Sequence, residues 1–472
     1  MTHKFSFFKI LCTGLCLILV TGRFSPAQAI SIPDEKKLAG KFMEQIQARG
    51  SLLEDPMVLH FIRTLGREIT RDLPPQPFDF NFYLIKDNTF NAFAGPGAHI
   101  FIHTGLLTSL KATNELAGIL AHEIAHATSR HVSQSIDRAQ ILSIGSMAGV
   151  LAGVLLGATG DGEAGQALTV GSLAAGQSNM LAFTRENETE ADQKAVIYLR
   201  DTCYNPEGLL ASLNEMRAAD YQGIEGIPDY FKTHPGTGNR IAHLSALLAD
   251  KAPRDSVPTC PKTEDFDMIK YRVMALYTPA KEGRQTLEDL LEAHPGNPAL
   301  HYGLGLAQAR INRRSQAIAH LQEALVQSPD NPYIQVELGR IHAIEGHYGK
   351  AWDIFMPLTE DPILGTTAAY HLAVSKMDSG NLAQAEEEFL DLVAQAPDQF
   401  PRAYYHLANI MAQKGETGLS HYYLGVYYQE SHNGKNAVRH LKKALETLSD
   451  SQKKEDAEKR LSQIIPKRKK GS

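Results

Sequence analysis

Cysteine is scarce in this chain, with four among 472 residues, and two of them, Cys12 and Cys16, fall in a short N-terminal segment of distinct character. The remaining pair, Cys203 and Cys260, excludes a disulfide-dense scaffold and leaves either one bridge or two free thiols. An excess of positive charge is also missing. The net charge is −6, and losing residues 1–29 removes Lys4, Lys9 and Arg23 and no acid, which brings it to about −9. Nothing in that balance suggests nucleic acid as a partner. The single basic cluster, Lys467-Arg468-Lys469-Lys470, reads as a solvated end. The N-terminus lacks an apolar run long enough to anchor it. Lys4 and Lys9 precede an apolar stretch at 10–20, and Ala27-Gln28-Ala29 follows. A charged start, a short apolar region and an A-x-A site mark residues 1–29 as a cleaved signal peptide and not a membrane span. No lipobox precedes either cysteine, because Thr13-Gly14-Leu15 puts leucine beside Cys16. The mature chain then starts near Ile30 and works outside the cytoplasm, where a disulfide can persist.

What the chain does have is His122-Glu123-Ile124-Ala125-His126, an HExxH pentapeptide, with Glu188-Thr189-Glu190-Ala191-Asp192 some sixty residues later. Apolar residues at helical spacing in 114–121 place the pentapeptide inside a helix, with Asn114 as its expected N-cap. Residues four apart share a helix face, so His122 and His126 can offer ring nitrogens to one metal ion. Glu123, one position around, can reach a water at that ion and act as its base. Residues 186–199 read as a second helix, with Ala191, Ala195, Ile197 and Leu199 available for packing. Its Glu188 is placed to complete an open tripod. Glu190 faces away from Glu188 and reads as a solvated or structural carboxylate. His131 reads as a capping or packing residue.

HExxH followed by ExEAD resembles the zinc peptidase family that includes the CAAX prenyl proteases and the membrane protease HtpX. The resemblance implies one Zn2+ per chain, with His122, His126 and Glu188 as ligands and Glu123 as the catalytic base. It assigns Asp192 an active-site role, usually that of proton donor. One helical turn beyond a ligand, Asp192 could instead hold a ligating imidazole by its other ring N–H, and the sequence leaves the two roles open. The implied fold is an α+β zincin-like (gluzincin) metalloprotease domain. The implied mechanism keeps one zinc position for a water of lowered pKa. Glu123 takes the water proton and passes it to the leaving amine. His234, in Thr233-His234-Pro235 and followed by Arg240, resembles a His-Pro loop of related sequences. It is expected either to stabilise the oxyanion or to occupy the open zinc position at rest.

The C-terminal half repeats. Leu304-Gly305, Ala317 and Leu321 recur as Leu338-Gly339, Ala351 and Phe355, and again as Leu372-Ala373, Ala385 and Phe389. The spacing of 34 residues is the tetratricopeptide (TPR) period. A further unit shows Leu424-Gly425, Ala437 and Leu441. Residues 264–297 look like a degenerate first unit, and helices near 404–411 fall out of phase. An all-α TPR solenoid follows, whose groove is expected to hold peptides or protein partners. Tyr404, Tyr405, Tyr422, Tyr423, Tyr427 and Tyr428 form an aromatic cluster, mostly for packing. The expected organisation is a signal peptide at 1–29, a zinc metallopeptidase domain at 30–252 and a linker at 253–263. TPR repeats at 264–450 and a C-terminal helix with a basic tail at 451–472 complete it.

Within the peptidase half, residues 78–84 alternate at period two and read as a half-buried strand. Residues 91–97 are rich in turn formers, and 98–103 read as a second strand. Residues 93–103 resemble the family's hairpin beside the zinc, where a sheet edge takes substrate backbone as an added strand. His99 and His103 read as structural. Gly145, Gly149, Gly153 and Gly157 line an uncharged stretch, expected to fold over the active site or touch a membrane surface. A signal, this peptidase domain and TPR units together resemble periplasmic protease-chaperones that degrade misfolded or stalled outer-membrane proteins and help their assembly. That resemblance implies unfolded outer-membrane proteins and the assembly machinery as partners. Two other readings stand beside it: a non-enzymatic TPR scaffold with a vestigial metal site, and a membrane-embedded protease.

Overall fold

The computed structural model describes residues 30–138, 151, 183–221, 230, 233–249, 266–431 and 433–464. The expected signal peptide at 1–29, nearly all of the glycine-rich stretch, the expected linker at 253–263 and the basic tail lie outside the described residues. No described helix is long and apolar enough to cross a membrane.

A mixed α+β region comes first. Helix α1 (Ile32–Ala48) starts at Ser31, whose hydroxyl caps the Asp34 amide, and buries Leu38, Phe42 and Ile46. Strand β1 (Leu52–Leu53) leads to α2 (Pro56–Thr70), whose first amides are capped by Asp55. Strands β2 (Asn81–Ile85), β3 (Ala92–Ala94) and β4 (His99–His103) complete a sheet of order β1-β2-β4-β3. The β2 and β4 strands run parallel, with Asn81 opposite His99, and the other pairs are antiparallel. Alternation splits the sheet into two faces. Phe82, Leu84, Ile100 and Ile102 join the main core, whereas Phe93 and Phe101 meet α1, with Phe42 edge-on to Phe101 at 5.8 Å. The turn-rich segment at 91–97 thus contains a buried strand. Only its end turns, where Gly97 and Ala98 take positive φ.

Helix α3 (Thr104–Ser109) precedes α4 (Thr113–Thr128), which is buried on every side from Glu115 to His126. The α4 N-cap is Ala112, with no side-chain cap, in place of the expected Asn114. The Asn114 side chain instead accepts the Asn205 amide, and Glu115 accepts the Lys111 amide. Helices α5 (His131–Arg138), α6 (Arg185–Arg200), α7 (Glu207–Tyr221) and α8 (Thr237–Ala249) finish this region, with α6 and α7 lying against α4. A Thr184–Asn187 capping box starts α6. Its inner face carries Ala191, Ala195, Val196 and Leu199, whereas Ile197 is 53% exposed and does not pack as expected. Cys203 is disulfide-bonded; Cys260 lies outside the described residues.

A long array of packed helices matching a TPR-like solenoid follows. It comprises α9 (Phe266–Tyr277), α10 (Ala280–Ala293), α11 (Pro298–Arg310), α12 (Arg314–Gln327), α13 (Pro332–Ile344) and α14 (Tyr348–Leu358). It continues through α15 (Gly365–Asp378), α16 (Leu382–Gln395), α17 (Pro401–Gln413), α18 (Thr417–Glu430), α19 (Gly434–Thr447) and α20 (Ser451–Ile464). The repeat pattern has a steric cause. A side chain added at Gly305 would strike Leu321, at Gly339 Phe355, and at Gly425 Leu441, so the small residue of one helix seats the large residue of the next. Of the six tyrosines, Tyr404, Tyr422 and Tyr423 are buried and Tyr405 is exposed.

The array grips the α+β region through buried charge. Asp55 caps α2 with one oxygen, and its other oxygen accepts Arg272 Nε at 2.8 Å and the Tyr277 hydroxyl at 2.7 Å. Arg272 also donates to Glu337 at 2.7 Å and to the Tyr302 hydroxyl at 3.0 Å. Arg272, Tyr302 and Glu337 come from α9, α11 and α13, so that face of the array is filled by the start of α2.

Candidate active site

Four donors converge where α4, α6 and the segment before α8 meet. His122 Nε2 and His126 Nε2 lie 3.0 Å apart, and each is 3.4 Å from a Glu188 oxygen. His234 Nδ1 lies 3.2 Å from Glu188 and 3.4 Å from His122 Nε2. All four residues are fully buried, and one donor atom from each lies within 4.8 Å of the others. Nitrogens and a carboxylate oxygen at such separations suit one small divalent cation, and this donor set suits zinc. Glu123 points into the same space. Both its oxygens are buried without a hydrogen bond, as is His234 Nε2 at 3.7 Å from Glu123. Buried polar atoms left open in this way fit a site built around an ion and its water.

Behind the donors stand further groups. His122 Nδ1 lies 2.9 Å from Asp192, which in turn is held by Arg240 at 2.7 and 2.9 Å. Arg240 also reaches Glu188 at 2.8 Å. Phe183 stacks on the His126 ring at 4.0 Å, and Tyr230 stacks on His234 at 4.5 Å. Neither ring was signalled by the motifs: Phe183 lies five positions before Glu188 and Tyr230 four before His234, but no motif spacing ties a stacking aromatic to either. Arg240 was visible only as a basic residue downstream of His234. His99 meets the Tyr83 hydroxyl and His103 the Thr89 hydroxyl, away from the four donors.

The electrostatics separate the groups. Burial raises the Glu123 pKa, and the charge of Glu188 adds to this against the pull of His234 and His122. Burial acts the same way on Glu188, but His234 and Arg240 outweigh it and hold that carboxylate well below its ordinary range. His126 is driven well below its ordinary value by burial, which keeps the ring neutral. For His122, burial and Arg240 oppose the cation, yet Asp192 and Glu188 prevail and push it up to about 9. Ligation of a metal requires loss of that proton.

Residues 59–248 match the model of peptidase family M48, and residues 281–332 match a tetratricopeptide repeat model. With the buried donor cluster formed by α4, α6 and the segment before α8, the chain carries an M48 peptidase domain at 59–248, followed by TPR repeats. It is homologous to the bacterial beta-barrel assembly-enhancing proteases. It is 28% identical to that of Yersinia pestis over 358 residues, covering 67% of this chain and 72% of the other. To that of Escherichia coli K12 it is 28% identical over 332 residues, covering 68% and 66%. The match therefore spans about two thirds of those proteins. The mitochondrial metalloendopeptidase OMA1 of Schizosaccharomyces pombe is 26% identical over 49% of this chain and 66% of its own length.

Proposed function

We propose that the chain is a zinc-dependent endopeptidase of the periplasm that acts on unfolded or misfolded outer-membrane proteins. In this reading His122, His126 and Glu188 hold the metal, and His234 fills the fourth position at rest. The convergence of these donors around the open carboxylate of Glu123 is the observation that carries it. A zinc ion there supplies Lewis acidity, polarising a carbonyl and acidifying water. Glu123, whose pKa burial raises, takes the water proton and returns it to the leaving amine. Asp192 keeps the His122 ring turned toward the ion, with Arg240 fixing Asp192. The position of His234 Nδ1 among the donors favours the resting-state role over that of oxyanion donor. Displacing His234 would open the position that substrate needs.

Strand β3 is the outermost of the sheet and lies against α4, so an extended client can add along it as another strand. Secretion through residues 1–29, contact of the glycine-rich stretch with a membrane surface, and docking of TPR helices on the outer-membrane protein assembly machinery belong to the same reading. The names of the relatives, beta-barrel assembly-enhancing proteases, support the last of these.

The test compares metal content and casein cleavage. Wild type should bind one zinc per chain, and Glu188→Ala should bind none. His234→Ala should cleave faster than wild type, since the resting plug is gone. Adding Glu123→Gln to it should cut cleavage by about 10²–10⁴-fold with zinc retained. Undiminished cleavage without Glu123 would refute the base assignment. Metal-loaded His234→Ala protein that cleaves nothing would leave the scaffold reading in its place.

A further inference from the structure

Both imidazoles on α4 need something behind them. A neutral ring that offers Nε2 to a metal keeps its proton on Nδ1, and that proton needs an acceptor. For His122 the acceptor is Asp192. For His126 it is another histidine: His131 Nδ1 lies 2.9 Å from His126 Nδ1. With its Nδ1 accepting, His131 carries its own proton on Nε2, which lies 3.4 Å from Glu190. His131 is fully buried, whereas Glu190 is 47% exposed. Glu190 is itself fixed, by the Ser129 hydroxyl at 2.9 Å and by Lys194 Nζ at 2.8 Å.

His131 lies five positions after His126, off the shared face of a continuous helix. The chain brings them together by ending α4 at Thr128 and turning at Arg130, which takes a left-handed φ of 54°. Such a backbone disfavours side chains with a Cβ, and Arg130 is held in it by its own head group. Its guanidinium donates to Glu35 on α1 at 2.7 Å and also to the Ile30 carbonyl. Glu35, also buried, accepts the Gly97 amide at the end of the β3–β4 hairpin. The turn that aims His131 is thus clamped between α1 and the sheet.

We propose that His131 is a positioning residue of the metal centre: it accepts the Nδ1 proton of His126, is held by Glu190, and so fixes the tautomer and direction of that ligand. This rests on the metal-site reading above. It gives His131 and Glu190 a shared role that neither a cap nor a solvated carboxylate would have.

The test is zinc affinity by chelator competition, with the visible spectrum of the Co2+-loaded protein as a second readout. His131→Leu keeps the volume and removes the acceptor. It should weaken zinc binding by about 10–100-fold and alter the cobalt spectrum. His131→Asn restores an acceptor near the Nδ1 position and should recover most of the affinity. Glu190→Ala should fall between wild type and His131→Leu. Leucine binding as tightly as wild type overturns the proposal, and so does equal weakening by leucine and asparagine, which would mean packing alone. Should His131→Leu fail to fold, Glu190→Ala on the surface decides, and unchanged zinc affinity there overturns the proposal. Glu188→Ala serves as the control. If it binds zinc as wild type does, the metal-site reading itself fails and the role of His131 falls with it.

Discussion

Asp192 sits 2.9 Å from a ligand ring and shares Arg240 with Glu188. Burial raises its pKa, but Arg240 and His122 outweigh that and keep it below the ordinary carboxylate range. A carboxylate held ionised is a poor proton donor near neutrality, so the geometry favours the holding role that spacing alone left open. Asp192→Asn separates the two roles. A holding residue predicts zinc affinity lower by about tenfold or more, with cleavage largely recovered at saturating zinc. A proton donor predicts unchanged affinity and lost turnover. Titration of zinc and of activity on the same preparation reads both. The convergence of His122, His126 and Glu188 was legible because HExxH and ExEAD are local patterns with fixed helical geometry. Phe183 and Tyr230 were not, because no pattern marks a stacking aromatic, and Arg240 showed only as a basic residue downstream of His234; the tertiary crossing of α4, α6 and the segment before α8 brings all three in. Glu190 was legible as exposed but not as the end of a hydrogen-bonded arm, since the break at Arg130 leaves no pattern that period counting detects.

At the scale of elements, the aim of His122 and His126 on α4 depends on how closely α7 approaches. Gly118 lies one turn before His122, and a methyl there would strike the Leu209 backbone; one at Gly208 would strike the Asn114 carbonyl. Two glycines on facing helices let the backbones touch. Gly118→Ala gains helix propensity of roughly 1 kcal/mol, yet the overpacking costs about 1–3 kcal/mol. The expected outcome is net destabilisation in urea with a lower midpoint, and a midpoint at or above wild type would refute the close crossing. This contact was invisible in the sequence, where the regular glycine spacing at 145–157 drew the eye instead. The strands were only partly legible. Period two found β2 and β4, but β3 was hidden among turn formers, and the parallel pairing of β2 with β4 is set by packing on α1 and α2. In the array, by contrast, the 34-residue spacing was enough, because Gly305, Gly339 and Gly425 each solve the same steric problem within one unit.

Across the whole molecule, the α+β region and the helical array are joined by the Asp55–Arg272–Glu337 network. Asp55 belongs to no motif, and Arg272 fell in a degenerate first unit, so sequence gave no hint that the two meet. All three side chains are almost fully buried. The attraction repays their desolvation only while every partner is present, so removing the shared cation should hurt most. Arg272→Ala strands two buried carboxylates and should cost about 3–5 kcal/mol in urea unfolding. Replacing Arg272, Asp55 and Glu337 together by apolar or amide residues of similar volume should cost less than that single change. Acid probes the same contact. Burial opposes the charged form of Glu337, but Arg340 and Arg272 prevail and bring its pKa down from 4.5 to about 2. The unfolded chain therefore binds more protons than the folded one between those values. The stability contributed by Glu337 is complete above pH 4.5 and is lost as the pH falls through about 2, a change on the order of 3 kcal/mol. Glu337→Gln should flatten the decline of unfolding free energy with falling pH across that window. An equally steep decline in the variant would place the acid sensitivity elsewhere and remove Glu337 from the lock between the two halves.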